Sequence, residues 1–217
     1  MIKLTKAEKP SVLVQNAEQW TKEYLQCIKK GKITDQVKYR YRDPEIKQAL
    51  IKETHGKCAF CESKMLHVSP ADIEHILPKN PDARPDLYVE WTNLTLSCEY
   101  CNRTGKRDYY DPDAPLINPY SDDPNMHFIA IGAFVRHKAY DQRAYITEKI
   151  LELNRSELLE KRKERIDQIE TLVVIWEKEQ SSTLKQIAEN ELIKECSNDK
   201  EYYFIVKAYL TLRGVPI

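Results

Sequence analysis

A chain of 217 residues, 41% apolar and 31% charged, suits one domain or a compact domain with a helical extension. Its 34 basic residues balance 34 acidic ones, which excludes a globally basic nucleic-acid binder. No apolar run approaches the roughly 20 residues of a membrane span, and the opening "MIKLTKAEKP" lacks the apolar core of a secretory signal, so the expected location is the cytoplasm.

The charge is nevertheless uneven, with ten Lys/Arg against four Asp/Glu over residues 1–42. There "AEQWTKEYLQCIKK" sets Ala17, Trp20, Tyr24 and Ile28 on one helical face, and Gly31 ends it. "KKGKITDQVKYRYRD" follows, interleaving basic residues with Tyr39 and Tyr41. It reads equally as a nucleic-acid surface, with either tyrosine stacking on a base, or as a packed lead-in to the next helix. Asp43 and Pro44 start that helix, with Ile46, Ala49 and Leu50 facing inward up to Gly56. From residue 57 to 113 the chain is turn-rich, with strand candidates in "HVSPADIEHILP" and "LTLSC". Beyond Pro124 the pattern reads as helical. Leu158, Leu159, Arg162, Ile166, Ile169, Val173 and Trp176 form a stripe behind an Asn154 cap. Two shorter helices are expected over 183–196 and 198–212. Apolar residues of the tail (Trp176, Tyr202, Tyr203, Phe204, Tyr209 and Leu210) mostly complete the core, with part of that surface free to dock a partner.

Of six cysteines, four form two CxxC pairs, "CAFC" (Cys58, Cys61) and "CEYC" (Cys98, Cys101), separated by 36 residues. Two intervening residues let paired thiolates turn toward one ion, and zinc takes four sulfurs tetrahedrally. Four cysteines leave no open coordination position, so the expected Zn²⁺ is structural. Cys27 and Cys196 read as small buried apolar residues. His67 reads as a surface histidine, since the cysteines already suffice.

Between the pairs lie Glu74 and His75; Asn93 precedes the second pair and Asn102 follows it. Phosphodiester hydrolysis needs a base for water and a divalent cation with open positions. An imidazole is largely neutral at cellular pH, and carboxylate and amide oxygens suit Mg²⁺ or Mn²⁺. Neighbouring residues in a regular strand point to opposite faces. Glu74 and His75 therefore share one site only if the backbone leaves β geometry, as Pro78 suggests.

Taken together, "CAFC…IEHILPK…WTNLTLSCEYCNRTGK" resembles the zinc-stapled HNH endonucleases, whose active site is a ββα-metal (His-Me) finger. The resemblance implies His75 as general base and Glu74 as the metal ligand beside it. It implies Asn93 as the residue bracing the loop and orienting the base, and Asn102 as the second metal ligand. Glu stands where Asp is commonest, and Asn where His is. Lys79, Arg103 and Lys106 are the candidate phosphate contacts, Lys106 foremost. "KAEKP", "YRDPEIKQALIKETHGKCAFCE" and the helical tail are similar to the HNH effectors of retron and Septu-type anti-phage systems. That implies an ABC/SMC-like ATPase partner and, in retron versions, a reverse transcriptase with its msDNA. The expected fold is α+β, a mostly helical chain around an HNH finger stapled by a four-cysteine zinc site. Its segments are a basic helical 1–56, the nuclease core 57–113, and a linker with helical region 114–217. The competing function is a non-catalytic zinc-dependent adaptor that binds nucleic acid or the ATPase.

Overall fold

The structure, a computed structural model, describes residues 1–65 and 71–217. His67 and the start of the first strand candidate lie outside the described residues. The fold is α+β: eight α-helices and two antiparallel two-stranded sheets among the described residues.

Helix α1 (Ser11–Lys29) buries Leu13 and Tyr24 and gives way to Gly31 at φ 65°. A short α2 (Asp35–Lys38) and a 3₁₀ turn over Arg40–Arg42 lead into α3 (Pro44–Thr54). The Asp43 side chain caps α3 by accepting from Glu45 N at 2.8 Å, with Pro44 at the first helical position. Ile46 and Leu50 are fully buried, and α3 packs on the second of two short strands. These strands, β1 (Asp72–His75) and β2 (Leu94–Ser97), pair with Glu74 opposite Thr95 and His75 opposite Leu94. All of β2 is buried. "KAEKP" is a fastener here: the Lys6 ammonium donates to Glu53 Oε1 at 2.8 Å and to Leu94 O at 2.6 Å, lying over the Trp91 ring.

After β2 the chain makes a wide π-helical turn over Tyr100–Lys106, closed by Arg107 N donating to Asn102 O at 2.8 Å. Gly105 lets this turn press against the end of a later helix. A Cβ there would lie 3.0 Å from Ile150 O and 3.3 Å from Leu151 Cα. Both are backbone atoms and cannot swing aside. Gly105→Ala should therefore cost about 1–3 kcal/mol, seen as a Tm lowered by several degrees with zinc retained; an unchanged melting curve would show that this contact yields freely.

The expectation of helix from Pro124 onward is corrected. A single turn, α4 (Pro124–His127), is followed by a hairpin of β3 (Phe128–Ile131) and β4 (Phe134–His137). Gly132 at φ 56° opens its two-residue turn, a signal "FIAIGAFV" carried. Helix α5 (Gln142–Ile150) follows, and then the long α6 (Ser156–Lys178). Asn154 does not cap α6. Its side chain joins β4, accepting from Val135 N at 2.9 Å and donating to Val135 O at 2.8 Å. The stripe on α6 buries Leu158, Arg162, Ile169 and Val173.

Helices α7 (Ser182–Glu195) and α8 (Tyr203–Leu212) fold back on α6, where Ile169, Val173, Leu192, Val206 and Leu210 form a small second cluster. The main core runs from Met1 to Ile205. The tail is clamped onto the first CxxC loop. Lys64 N donates to Glu201 Oε1 (2.6 Å), Phe204 N to Glu62 Oε2 (3.2 Å), and the Ser63 and Tyr202 hydroxyls bond at 3.1 Å. Tyr202 and Phe204 are buried by this clamp. The exposed large apolar residues of the tail are aliphatic (Ile175, Leu184, Ile187, Ile193, Leu212 and Ile217) rather than the aromatics expected. Cys27 and Cys196 are half-buried rather than buried.

Candidate active site and zinc centre

The second CxxC pair sits where β2 ends and the π-helical turn begins, and the first pair lies across from it. The four sulfurs of Cys58, Cys61, Cys98 and Cys101 all lie within 4.8 Å of one another, and Cys61 and Cys98 are 3.8 Å apart. A tetrahedral zinc with bonds of about 2.3 Å needs sulfur–sulfur edges of about 3.8 Å, so the cluster fits the ion. None of the four is in a disulfide. Cys101 N donates to Cys98 Sγ at 3.4 Å. Burial works against the charge of the nearby Arg155 guanidinium, but the sulfurs of Cys61, Cys101 and Cys98 more than offset it and raise its pKa. A cation there suits four thiolates around one dication.

An ion held there would fix both ends of the loop that carries Glu74, His75 and Asn93, with Asn102, Arg103 and Lys106 directly after it. A cavity of about 210 Å³ is lined by Glu74, His75, Lys79, Asn102, Arg103 and Lys106, together with Tyr41, Arg42, Asp72, Asn80, Arg107 and Asp108. Six of the residues singled out in the sequence meet there. Asn93 and the cysteines do not line it. β1 keeps its pairing through His75, yet Glu74 and His75 both line the cavity, as do Asp72 and Ile73 before them.

His75 is buried, with Nε2 2.8 Å from the Tyr88 carbonyl oxygen. A carbonyl only accepts, so Nε2 carries the proton and Nδ1 holds the free lone pair. Tyr41 packs edge-on against the imidazole, ring centroids 4.7 Å apart, and Tyr88 stacks on Tyr24 at 4.0 Å. Tyr41 is therefore a buried, packed part of the lead-in that also lines the cavity. Burial, then the charges of Lys79 and Lys106, hold the imidazole well below its ordinary pKa, against the pull of the Tyr88 carbonyl. That shift favours the neutral ring.

Glu74 is buried, and Lys106 Nζ donates to its Oε1 at 2.7 Å. Burial raises the Glu74 pKa, with Lys106 and Lys79 opposing. Lys106, the foremost candidate for phosphate, is thus drawn inward onto a carboxylate. Lys79 lies 4.8 Å from the Tyr41 ring centroid, and burial lowers its pKa. The exposed Arg103 forks onto Asp72, with Nε to Oδ2 at 3.0 Å and Nη2 to Oδ1 at 3.1 Å. Asn102 Nδ2 also donates to Asp72 Oδ2, at 3.2 Å.

Asn93 closes the loop between β1 and β2. Its Oδ1 accepts from Leu77 N (2.8 Å), and its Nδ2 donates to Leu77 O (2.9 Å) and Leu87 O (3.3 Å). Leu87 precedes Tyr88, whose carbonyl meets His75. Sequence reasoning missed Asp72, although an i, i+2 relation to Glu74 on a strand puts both on one face. It also missed Arg42 and the Tyr88 carbonyl, which no local pattern marks. His127 and His137, assigned nothing, pair with Asp141 and Glu148 away from this cavity.

Residues 58–107 match a family model described as HNH endonuclease. The chain is similar to Septu protein PtuB of Bacillus thuringiensis, 34% identical over 161 residues, covering 73% of this chain and 57% of the relative. It is also similar to Septu protein PtuB of Bacillus mycoides (strain KBAB4), 27% identical over 252 aligned positions, covering 96% and 84%. The chain spans little more than half the length of the first of these relatives. No solved structure matches it. No helix among the described residues is long and apolar enough to cross a membrane.

Proposed function

Since the chain carries an HNH endonuclease domain and has Septu PtuB proteins as homologues, we propose that it is a divalent-metal-dependent endonuclease acting as the effector of an anti-phage defence system. One observation carries this reading. His75, its Nε2 held by the Tyr88 carbonyl, opens into the same cavity as Glu74 and Asn102. Nδ1 is then the atom that takes a proton from water. Asn93, by holding Leu77 and Leu87, keeps the Tyr88 carbonyl where it fixes the imidazole tautomer.

Glu74 and Asn102 are the proposed ligands of Mg²⁺ or Mn²⁺. Their oxygens are hard donors, and Asn102 Oδ1 accepts no hydrogen bond from any described residue, so the donor set fits a hard dication. When bound, the ion supplies Lewis-acid stabilisation of charge on the scissile phosphate. Arg42, Lys79, Arg103 and Arg107 line the same cavity and give it a cationic wall for a nucleic-acid backbone. The proposed partner is an ABC/SMC-like ATPase. Both relatives are named Septu proteins, which favours the stand-alone arrangement over one with a reverse transcriptase and msDNA.

The test is cleavage of labelled duplex DNA, single-stranded DNA and RNA by the purified protein, with and without the ATPase, at varied Mg²⁺ and Mn²⁺. Metal-dependent cutting lost in Glu74→Ala, with zinc content unchanged, supports the enzyme. Nucleic-acid or ATPase binding with no cutting of any substrate, by wild type and variant alike, would favour the adaptor.

A further inference from the structure

Asn102 can serve a cation only through its oxygen, and a side-chain amide has two nearly isosteric orientations. In one of them the amide would present N–H groups to the ion and repel it. What selects the orientation is therefore part of the site. That selector is Asp72, a carboxylate on β1 that accepts from Asn102 Nδ2 at 3.2 Å. Arg103 N–H groups donate to both oxygens of this carboxylate, which therefore acts as an acceptor, so the atom facing it is the amide nitrogen and Oδ1 faces away from it. Asp72 is itself committed. Arg103 occupies both of its oxygens, at 3.0 and 3.1 Å, which fixes the carboxylate from the outer side. Asp72 and Glu74 share a face of β1, so the strand that supplies one donor also orients the other.

We infer that Asp72 is a positioning residue, which locks the Asn102 amide so that its oxygen is the atom offered to the divalent cation. The inference rests on the reading of Asn102 as a ligand. It differs from a direct role for Asp72, because its effect must pass through the asymmetry of the amide. An aspartate at position 102 has an oxygen on either side and needs no such selection.

The test is Mn²⁺ binding to the full-length, zinc-loaded chain without substrate, followed by the electron paramagnetic resonance signal of the free ion. Asp72→Ala should weaken Mn²⁺ binding by about ten-fold or more, the scale of lost outer-shell partners at metal sites. The same substitution in an Asn102→Asp background should produce no loss of that size. Asp72→Asn, which keeps the shape and an acceptor, should give a smaller loss in the same direction. It carries the comparison if Asp72→Ala fails to retain zinc. Wild-type Mn²⁺ affinity in Asp72→Ala would overturn the inference. So would an equal loss in both backgrounds, the mark of Asp72 acting as a ligand or through its charge. A wild-type chain that binds no Mn²⁺ overturns the Glu74–Asn102 site itself, and the inference with it.

Discussion

Replacing His75 with alanine is expected to lower nucleic-acid cleavage by about 10²–10⁴-fold, the usual contribution of a positioned general base. The substitution removes the Nδ1 lone pair and also frees the Tyr88 carbonyl, which His75 meets at 2.8 Å. A buried acceptor left without its partner costs about 1–3 kcal/mol, so a modest fall in Tm should accompany the loss of rate. His75→Gln separates the two effects. Its amide can donate to the Tyr88 carbonyl but cannot act as a base, so stability should largely return while cleavage stays low. Single-turnover assays on the three proteins, each checked for zinc, decide the point. If His75→Ala cuts within a few-fold of wild type, the base lies elsewhere.

Replacing Cys98 with serine should have the larger structural effect. Structural zinc contributes about 10–16 kcal/mol of apparent binding energy in small zinc-finger peptides, as much as the whole net stability of a typical domain, about 5–15 kcal/mol. In this chain the four sulfurs close the 36-residue loop between Cys61 and Cys98. That loop contains β1, Asn93 and all of β2, and the C-terminal tail is clamped to its first end through Glu62, Ser63 and Lys64. Losing the ion should therefore loosen the active site and the tail together. The expected outcome for Cys98→Ser is a zinc-poor, aggregating protein, and a strong chelator should reproduce it in the wild type. Elemental analysis finding no zinc in the purified wild type, or a Cys98→Ser variant with an unaltered melting curve, would remove zinc from the scaffold.

Whether Lys106 meets phosphate or stays with Glu74 also bears on how the site fills. The 2.7 Å ion pair is buried on both sides, so it is shielded from salt far more than a surface pair. Any cation that takes Glu74 as a ligand must share that carboxylate with an ammonium already in place. Lys106 is thus held by Glu74 rather than exposed to solvent, and meeting a phosphate would require it to leave or share that carboxylate.

The amino-acid sequence by itself determined what is local. The CxxC spacing specified four sulfurs for one ion, because two intervening residues already fix how paired thiolates can turn. Residue chemistry pointed to Glu74 and His75, the resemblance to HNH endonucleases added Asn93 and Asn102, and a 3.6-residue period placed α1, α3 and the stripe on α6. The hairpin over residues 128–137 was legible too, in the glycine between two apolar runs, but its short alternation was read as helix. Everything that makes the cavity specific was decided by tertiary structure. Asp72 reaches Asn102 and Arg103, Tyr41 packs on His75, Lys106 turns in to Glu74, and Glu201 to Phe204 clamp the zinc loop. Each of these joins residues about 30 or more positions apart. Such partners leave no period in the chain, because a side chain chooses its contact only after β1, β2 and the π-helical turn have been brought together.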